Sequence, residues 1–274
     1  MKQQHLNNTI LVTGSDGFIG KHLVRYLDEK TDHDVITYDW NQEPYKLDFP
    51  YNEIDWIIHL GAISSTAFDD VETIFYKNLD YSIDLYNKAI QHNCHFQFAS
   101  SASVYGKNNN HQQKFNEELT PLNPKTPYAW TKYLFERYVK KNYPSNIHTQ
   151  IFRYFNVYGP EFEDHKVGQA SPFYTFKKQA EENGIITLFE GSDEIKRDFI
   201  HVGKLVEWQT EFLMIPESGV WNIGTGITQS FHEIAKTFDC PIKFVPIPEK
   251  IKMGYQMYTC ADTEKLTSIL DKYK

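Results

Sequence analysis

Short apolar runs rich in β-branched and aromatic residues recur along the chain, separated by longer stretches with helical spacing. The runs are TILVTG, DVITYD, DWIIHLG, FQFAS, TQIFRY and VWNIG. Between them, residues 17–29 and 73–91 carry apolar side chains at helical intervals. Residues 128–142 follow Pro127, as a helix often follows a proline in its first turn. This alternation of strand and helix predicts an α/β fold built on a doubly wound parallel sheet.

From about Asn156 the alternation gives way to a mixture punctuated by Gly and Pro. LFEGSDEIKRDFIHVG and FVPIPEKIKMGYQMYTCAD read as loops and short strands, which predicts a smaller α/β region capping a substrate. VWNIGTG reads as a return to the main sheet. The expected division is a main domain of residues 1–155 and 199–229, and a discontinuous second domain of residues 156–198 and 230–274.

At 274 residues, 41% hydrophobic and 15% aromatic, the chain can bury a substantial core. The first ten residues lack the apolar run of a signal peptide, and nothing approaches the roughly 18 consecutive apolar residues of a membrane helix, so a soluble, cytoplasmic protein without membrane partners is expected. The three cysteines, Cys94, Cys240 and Cys260, suit a reducing compartment. A net charge of -8 leaves no basic footprint for nucleic acid. Any anionic ligand must then be held locally, with Arg153, Lys166, Lys196 and Arg197 as candidates. The segment HNCH at residues 92–95 has no second pair of ligands to complete a zinc site, so no metal is expected and Cys94 reads as a small buried residue.

TILVTG runs straight into GSDGFIG, where Gly14, Gly17 and Gly20 open a helix. Glycines here permit a tight turn and close approach of backbone to a pyrophosphate, while the helix start offers free N–H groups. Asp39 ends the next strand, where a carboxylate can bind a ribose hydroxyl. Together these features predict a Rossmann dinucleotide site. Asp39 favours NAD over NADP, although Lys46 is close enough in sequence to offset its charge.

In PYAWTK, Tyr128 and Lys132 stand four apart and share one helix face. A free tyrosine titrates near 10, so service as a base near neutrality needs about three pH units, or roughly 4 kcal/mol. A cation about 4 Å away supplies roughly that much at an effective dielectric of about 20. FASSASVYG sets the hydroxyls of Ser100, Ser101 and Ser103 at a strand's carboxyl end, where ligands of such sheets sit.

GSDGFIG, SSASVYG and YAWTK together resemble the extended short-chain dehydrogenase/reductase family. That resemblance implies that Ser101 holds the substrate oxygen, Tyr128 moves its proton, and Lys132 binds the nicotinamide ribose and depresses the tyrosine. Sugar 4,6-dehydratases of the family carry an acidic pair where this chain has Ala102 and Ser103, which disfavours elimination. RYFNVYGP, the His165–Lys166 pair, LFEGSDEIKRDF, NIGTG and GYQMYTCAD are similar to the ADP-L-glycero-D-manno-heptose 6-epimerases, over nearly the whole chain.

The resemblance implies one tightly held NADP or NAD per subunit, a nucleotide-sugar substrate and a homo-oligomer. It implies catalytic roles for Ser101, Tyr128, Lys132 and Lys166, with Tyr128 and Lys166 as proton carriers on opposite faces of the substrate. Cofactor contacts are expected from Gly14, Gly17, Phe18, Ile19, Gly20, Asp39, Trp40, Leu60, Gly61, Ala62, Ser64, Asn78, Lys132 and Val157. Substrate contacts are expected from Ser101, Asn156, Lys166, Phe189, Glu190, Gly191, Ser192, Arg197 and Tyr255. The chain departs from the resemblance at Gly168 and Thr175, where the epimerases have serine and histidine. It departs again between Asp39 and Ile54, too short for a full strand and helix, so a trimmed sheet edge is expected. An epimerase or reductase of a different nucleotide sugar, and a catalytically silent cofactor sensor, are the alternatives.

Overall fold

The structure is a computed structural model that describes residues 8–41, 43, 45–64, 70–107, 113–164, 170–248 and 256–274. In chain order the first half forms β1 (Thr9–Thr13), α1 (Phe18–Lys30), β2 (Asp34–Tyr38), β3 (Trp56–His59), α2 (Val71–Phe75), α3 (Tyr81–His92), β4 (His95–Ser101) and α4 (Pro127–Lys141). The second half forms β5 (Thr149–Tyr154), β6 (Asn156–Tyr158), α5 (Pro172–Asn183), β7 (Ile186–Phe189), β8 (Lys196–His201) and α6 (Val202–Glu211). It continues with β9 (Gly219–Ile223), β10 (Thr228–Ser230), α7 (Phe231–Ala235), β11 (Ile242–Val245), β12 (Tyr258–Thr259) and α8 (Glu264–Lys272).

All the apolar runs read as strands join one parallel sheet of six strands, ordered β2-β1-β3-β4-β5-β9. Because side chains alternate across a strand, each strand feeds two cores. Ile10, Val12, Trp56, Ile58 and Phe152 point to one face, where they pack with Leu23 and Leu27 of α1, Leu205 of α6 and Leu270 of α8. Leu11, Ile57, Phe96, Phe98 and Ile151 point to the other, against Leu85 of α3 and Phe135 of α4. Helices on both faces make the sheet doubly wound, the Rossmann arrangement expected. Both cores are nearly dry, with residues such as Leu11, Leu23 and Phe135 fully inaccessible.

The chain leaves β2 on one side of β1 and returns as β3 on the other, so the strand order reverses beside β1. That reversal opens a crevice at the carboxyl ends of β1 and β3, where ligands of open α/β sheets bind. The trimmed edge is present as well. No described residue between β2 and β3 is helical, and β2 is itself the edge strand.

Past β5 the chain builds a second, smaller sheet centred on β8, which pairs with β10, β12 and β6, while β7 and β11 form a separate parallel pair. The boundary expected at residue 199 lies inside β8. Helices accompany the short strands of this smaller α/β region. α5 starts from Ser171, whose hydroxyl accepts the Tyr174 N–H, carries Pro172 in its first turn and stops at Gly184 with φ 62°. Buried Asp198 ties β8 to its neighbours by accepting from the Thr225 N–H and hydroxyl, the Gly226 N–H and the Ala261 N–H at 2.7–3.0 Å. Among the described residues, no helix is long and apolar enough to cross a membrane.

Candidate active site

The floor of the crevice is the turn from β1 into α1. Gly14 sits at φ 76°, and a Cβ there would lie 2.5 Å from the Gly61 nitrogen. A Cβ on Gly20 would meet the Gly14 carbonyl oxygen at 2.1 Å. Only glycine lets the three backbone segments converge. The turn is pinned by the Gly14 N–H, which donates to the Tyr38 carbonyl at 2.8 Å. Helix α1 begins from Gly17, which has no side chain to cap it, and its first residues Phe18, Ile19 and Gly20 line the crevice.

Asp39 closes the far end of this floor. It is buried, with Oδ1 accepting the Asn41 N–H at 3.1 Å and Oδ2 the Asp16 N–H at 3.3 Å. A glycine cradle no larger residue could enter, opening directly into a helix, and a carboxylate fixed just after β2 fit a dinucleotide. Lys46, considered as an offset to Asp39, is instead paired with Glu43 at 2.9 Å. Lys77 is the lysine at this end that lines the cleft, with Nζ 5.0 Å from the Trp40 ring centroid.

A cleft of about 860 Å³ extends from this floor. Gly14, Gly17, Phe18, Ile19, Gly20, Asp39, Trp40, Leu60, Gly61, Ala62, Ser64, Lys132 and Val157 all line it. So do Ser101, Tyr128 and Asn156, which brings Ser101, Tyr128 and Lys132 to the same cavity as most of the expected cofactor residues. Asn78 does not line it. The wide π-type turn at Tyr76–Asp80 buries Asn78, whose amide takes the Ile63 N–H at 2.7 Å and donates to the Ile63 carbonyl at 3.0 Å. It holds the loop bearing Gly61 and Ala62 rather than reaching into the cleft.

Local structure fixes the reactive trio. Thr126 caps α4 by accepting the Ala129 N–H at 3.2 Å, and Pro127 occupies the first turn, which sets Tyr128 at the helix entrance and Lys132 one turn on. Ser101 ends β4 and accepts the Ser103 N–H at 3.1 Å, which orients its hydroxyl. Burial pushes Tyr128 above its ordinary 10, and the nearby Ser101 side chain opposes that rise. Lys132 is fully buried, with Nζ 4.4 Å from the Phe98 ring centroid and 5.8 Å from that of Tyr128. Burial lowers its pKa to about 7, against the pull of Glu136.

The remaining expected residues lie elsewhere. Phe189, Glu190, Gly191 and Ser192 run from the end of β7 into a turn and do not line the cleft, and Ser192 is buried. Arg197 is buried on β8, its guanidinium donating to the carbonyls of Lys196 and Gln256. Lys166 and Tyr255 fall outside the described residues. Arg153, a candidate for anion binding, is corrected to a structural partner: it is buried and paired with Glu136 at 2.7 Å. Sequence reasoning missed His59, Tyr154 and Phe231, which also line the cleft. His59 is buried between the hydroxyls of Thr13 (2.6 Å) and Ser82 (2.7 Å), and burial lowers its pKa to about 3, so it is a neutral imidazole. In the run WIIH it looked like an ordinary strand end, and no local signal marked it.

Comparison with known proteins agrees with this geometry. The model of the NAD dependent epimerase/dehydratase family matches residues 10–224. The ADP-L-glycero-D-manno-heptose-6-epimerase of Brachyspira hyodysenteriae is 33% identical over 290 aligned residues, covering 94% of this chain and 90% of that protein. Among solved structures, the Helicobacter pylori ADP-L-glycero-D-manno-heptose-6-epimerase superposes with a TM-score of 0.82 at 24% identity, covering 99% of this chain and 92% of that one. The Thermotoga maritima UDP-glucose 4-epimerase, solved with UDP-glucose, also gives 0.82 at 24% identity over 97% and 92% of the two chains. At these identities the two superpositions show the fold.

Proposed function

Because the chain belongs to the NAD-dependent epimerase/dehydratase family and is an NAD(P)-dependent nucleotide-sugar epimerase, we propose that it interconverts ADP-D-glycero-D-manno-heptose and ADP-L-glycero-D-manno-heptose at C6. The observation that carries the reading is the convergence of Ser101, Tyr128 and Lys132 on the wall of the glycine-floored cleft. The likeness to the Brachyspira enzyme over 94% of the chain supports the choice of sugar.

Bound NAD(P) supplies a hydride acceptor that becomes the donor for the return step, so the reaction has no net redox change. The residues that would hold it are Gly14, Gly17 and Gly20 at the diphosphate and Asp39 at the ribose. Ser101 Oγ fixes the C6 oxygen of the sugar. Tyr128 Oη takes the hydroxyl proton as the ketone forms and can return it. Lys132, in its ammonium form, favours the tyrosinate. C6 lies outside the sugar ring, so rotation about its bond to the ring exposes the second face. A second proton carrier is needed there, and Lys166 is the residue proposed for it.

A different nucleotide sugar is the competing reading, favoured by Gly168 and Thr175 at positions where the resemblance calls for serine and histidine. The test is to incubate the purified holoenzyme with ADP-D-glycero-D-manno-heptose and follow the C6 epimers by NMR. The L-epimer should accumulate without consumption of added NAD(P)H. Tyr128→Phe should lower turnover by about 10²-fold or more while retaining cofactor. No conversion by cofactor-loaded protein would remove the sugar assignment. Full activity in Tyr128→Phe would remove the proton-transfer assignment.

A further inference from the structure

A lysine that titrates near 7 is charged only half the time at neutral pH, yet the proposed chemistry needs it as an ammonium. The surroundings of Lys132 explain how the charge is kept. Its Nζ lies over the rings of Phe98 and Tyr128 and feels the charge of Glu136, and it shares the cleft wall with neutral His59 of β3, Ser100 and Ser101 of β4 and Tyr154 of β5. Tyr154 donates its hydroxyl to Gln209 at 2.8 Å, and burial raises its pKa, so it is uncharged. Among the described residues, Glu136 is the carboxylate whose charge acts on Lys132.

Glu136 is buried one turn further along the same helix face and is held from three directions. Arg153 Nε donates to Oε1 at 3.1 Å and Nη2 to Oε2 at 2.7 Å, a forked pair. The Ser100 hydroxyl donates to Oε1 at 2.5 Å. Arg153 is anchored in turn, donating to the Tyr105 hydroxyl at 2.9 Å. The pair is neutral as a whole, but its negative end is the one on α4, nearest the ammonium.

We propose that Glu136, clamped by Arg153 and Ser100, is a positioning residue that keeps Lys132 charged in the active site. The role rests on the reading of Tyr128 and Lys132 given above. It differs from that of an ordinary buried ion pair because its effect is read on a third residue. Ser100 links the clamp to the backbone that carries Ser101, so the same carboxylate also fixes the strand end on which the substrate-holding hydroxyl is mounted.

The single change Glu136→Gln would strand the buried Arg153, so the decisive variant is Glu136→Gln/Arg153→Met, compared with Glu136→Asp, which keeps the charge. Lys132 is followed directly in the holoenzyme by NMR of ε-13C-labelled lysine, its resonance identified by its loss in Lys132→Met. The neutral variant should titrate about one pH unit or more below the wild type, leaving about five-fold fewer molecules with a charged Lys132 at pH 7. The alkaline limb of kcat/KM should move down with it, and Glu136→Asp should restore both. An unchanged Lys132 midpoint in the folded neutral variant overturns the proposal, as does failure of that variant to fold or a Glu136→Asp protein no closer to wild type than the neutral one. Because the NMR titration does not depend on turnover, an active Tyr128→Phe enzyme would sink the catalytic reading while leaving this one standing.

Discussion

Replacing Lys132 by methionine should abolish turnover and yet stabilise the cofactor-free protein, and the magnitude follows from the buried ammonium. The side chains have similar length, and the site is apolar on the Phe98 side. A fall from the usual lysine value of 10.5 to about 7 corresponds, at about 1.4 kcal/mol per pH unit, to about 5 kcal/mol against the folded state when the lysine is charged in both states. The folded pKa lies below the unfolded one, so between about 7 and 10.5 the unfolded chain binds the extra proton and folded stability rises with pH. Methionine has no proton to lose. The stability gap between Lys132→Met and wild type should therefore be widest at pH 6, about 4 kcal/mol at pH 7, and nearly closed by pH 10.5. Urea unfolding of both proteins at several pH values measures it. A gap that does not change with pH, or a methionine variant less stable than wild type at pH 6, would refute the reasoning.

Other substitutions test other links. Gly20→Ala would drive a Cβ into the Gly14 carbonyl at 2.1 Å, and should cost about 2–3 kcal/mol with loss of copurifying cofactor, read by thermal melting and mass spectrometry. Asp198→Asn removes a charge that accepts from three backbone N–H groups and a hydroxyl, and should cost about 2–3 kcal/mol in urea unfolding. Lys77→Ala removes the lysine beside Trp40 in the cleft wall, and should weaken NADP binding about tenfold more than NAD binding by calorimetry.

Much of the architecture was legible because it repeats. The strands of the main sheet are buried on both faces, so their apolar runs stand out from the helices between them. The glycine turn was equally plain, since Gly14 and Gly20 face contacts that no other residue tolerates. The second half was harder because its strands are short and find partners far away: Phe115 bridges to Ala261, and β6 pairs with β8. Even so, Ser171, Pro172 and Gly184 mark α5 as clearly as Thr126 and Pro127 mark α4. Some pairings were hidden as well. Arg153 looked like a cation available to an anionic ligand, and only the fold reveals Glu136, on another element, as its partner, whereas Lys46 pairs with Glu43 only three residues away. The resemblance made Asn78 a cofactor contact, but its amide is taken up by the Ile63 backbone.

The shortened connection after Asp39 poses a physical problem that the chain solves with phenols. With no strand or helix among the described residues between β2 and β3, the backbone there has no regular ladder to satisfy its carbonyls, while the apolar face beside β2 needs covering. Tyrosine answers both needs, since it packs as an aromatic and donates at its tip. Tyr38 donates to the Glu43 carbonyl at 2.7 Å, Tyr51 to the Leu47 carbonyl at 2.9 Å and Tyr81 to the Lys46 carbonyl at 3.0 Å. Their rings meet Phe49 and Trp40, with Tyr38 and Phe49 centroids 5.4 Å apart and Trp40 and Tyr81 5.3 Å apart. Trp40 also lines the cleft, and Asp39 precedes it. The packing that replaces the missing elements therefore includes Trp40, a residue of the cleft wall next to Asp39, which ties the shortened connection directly to the cleft.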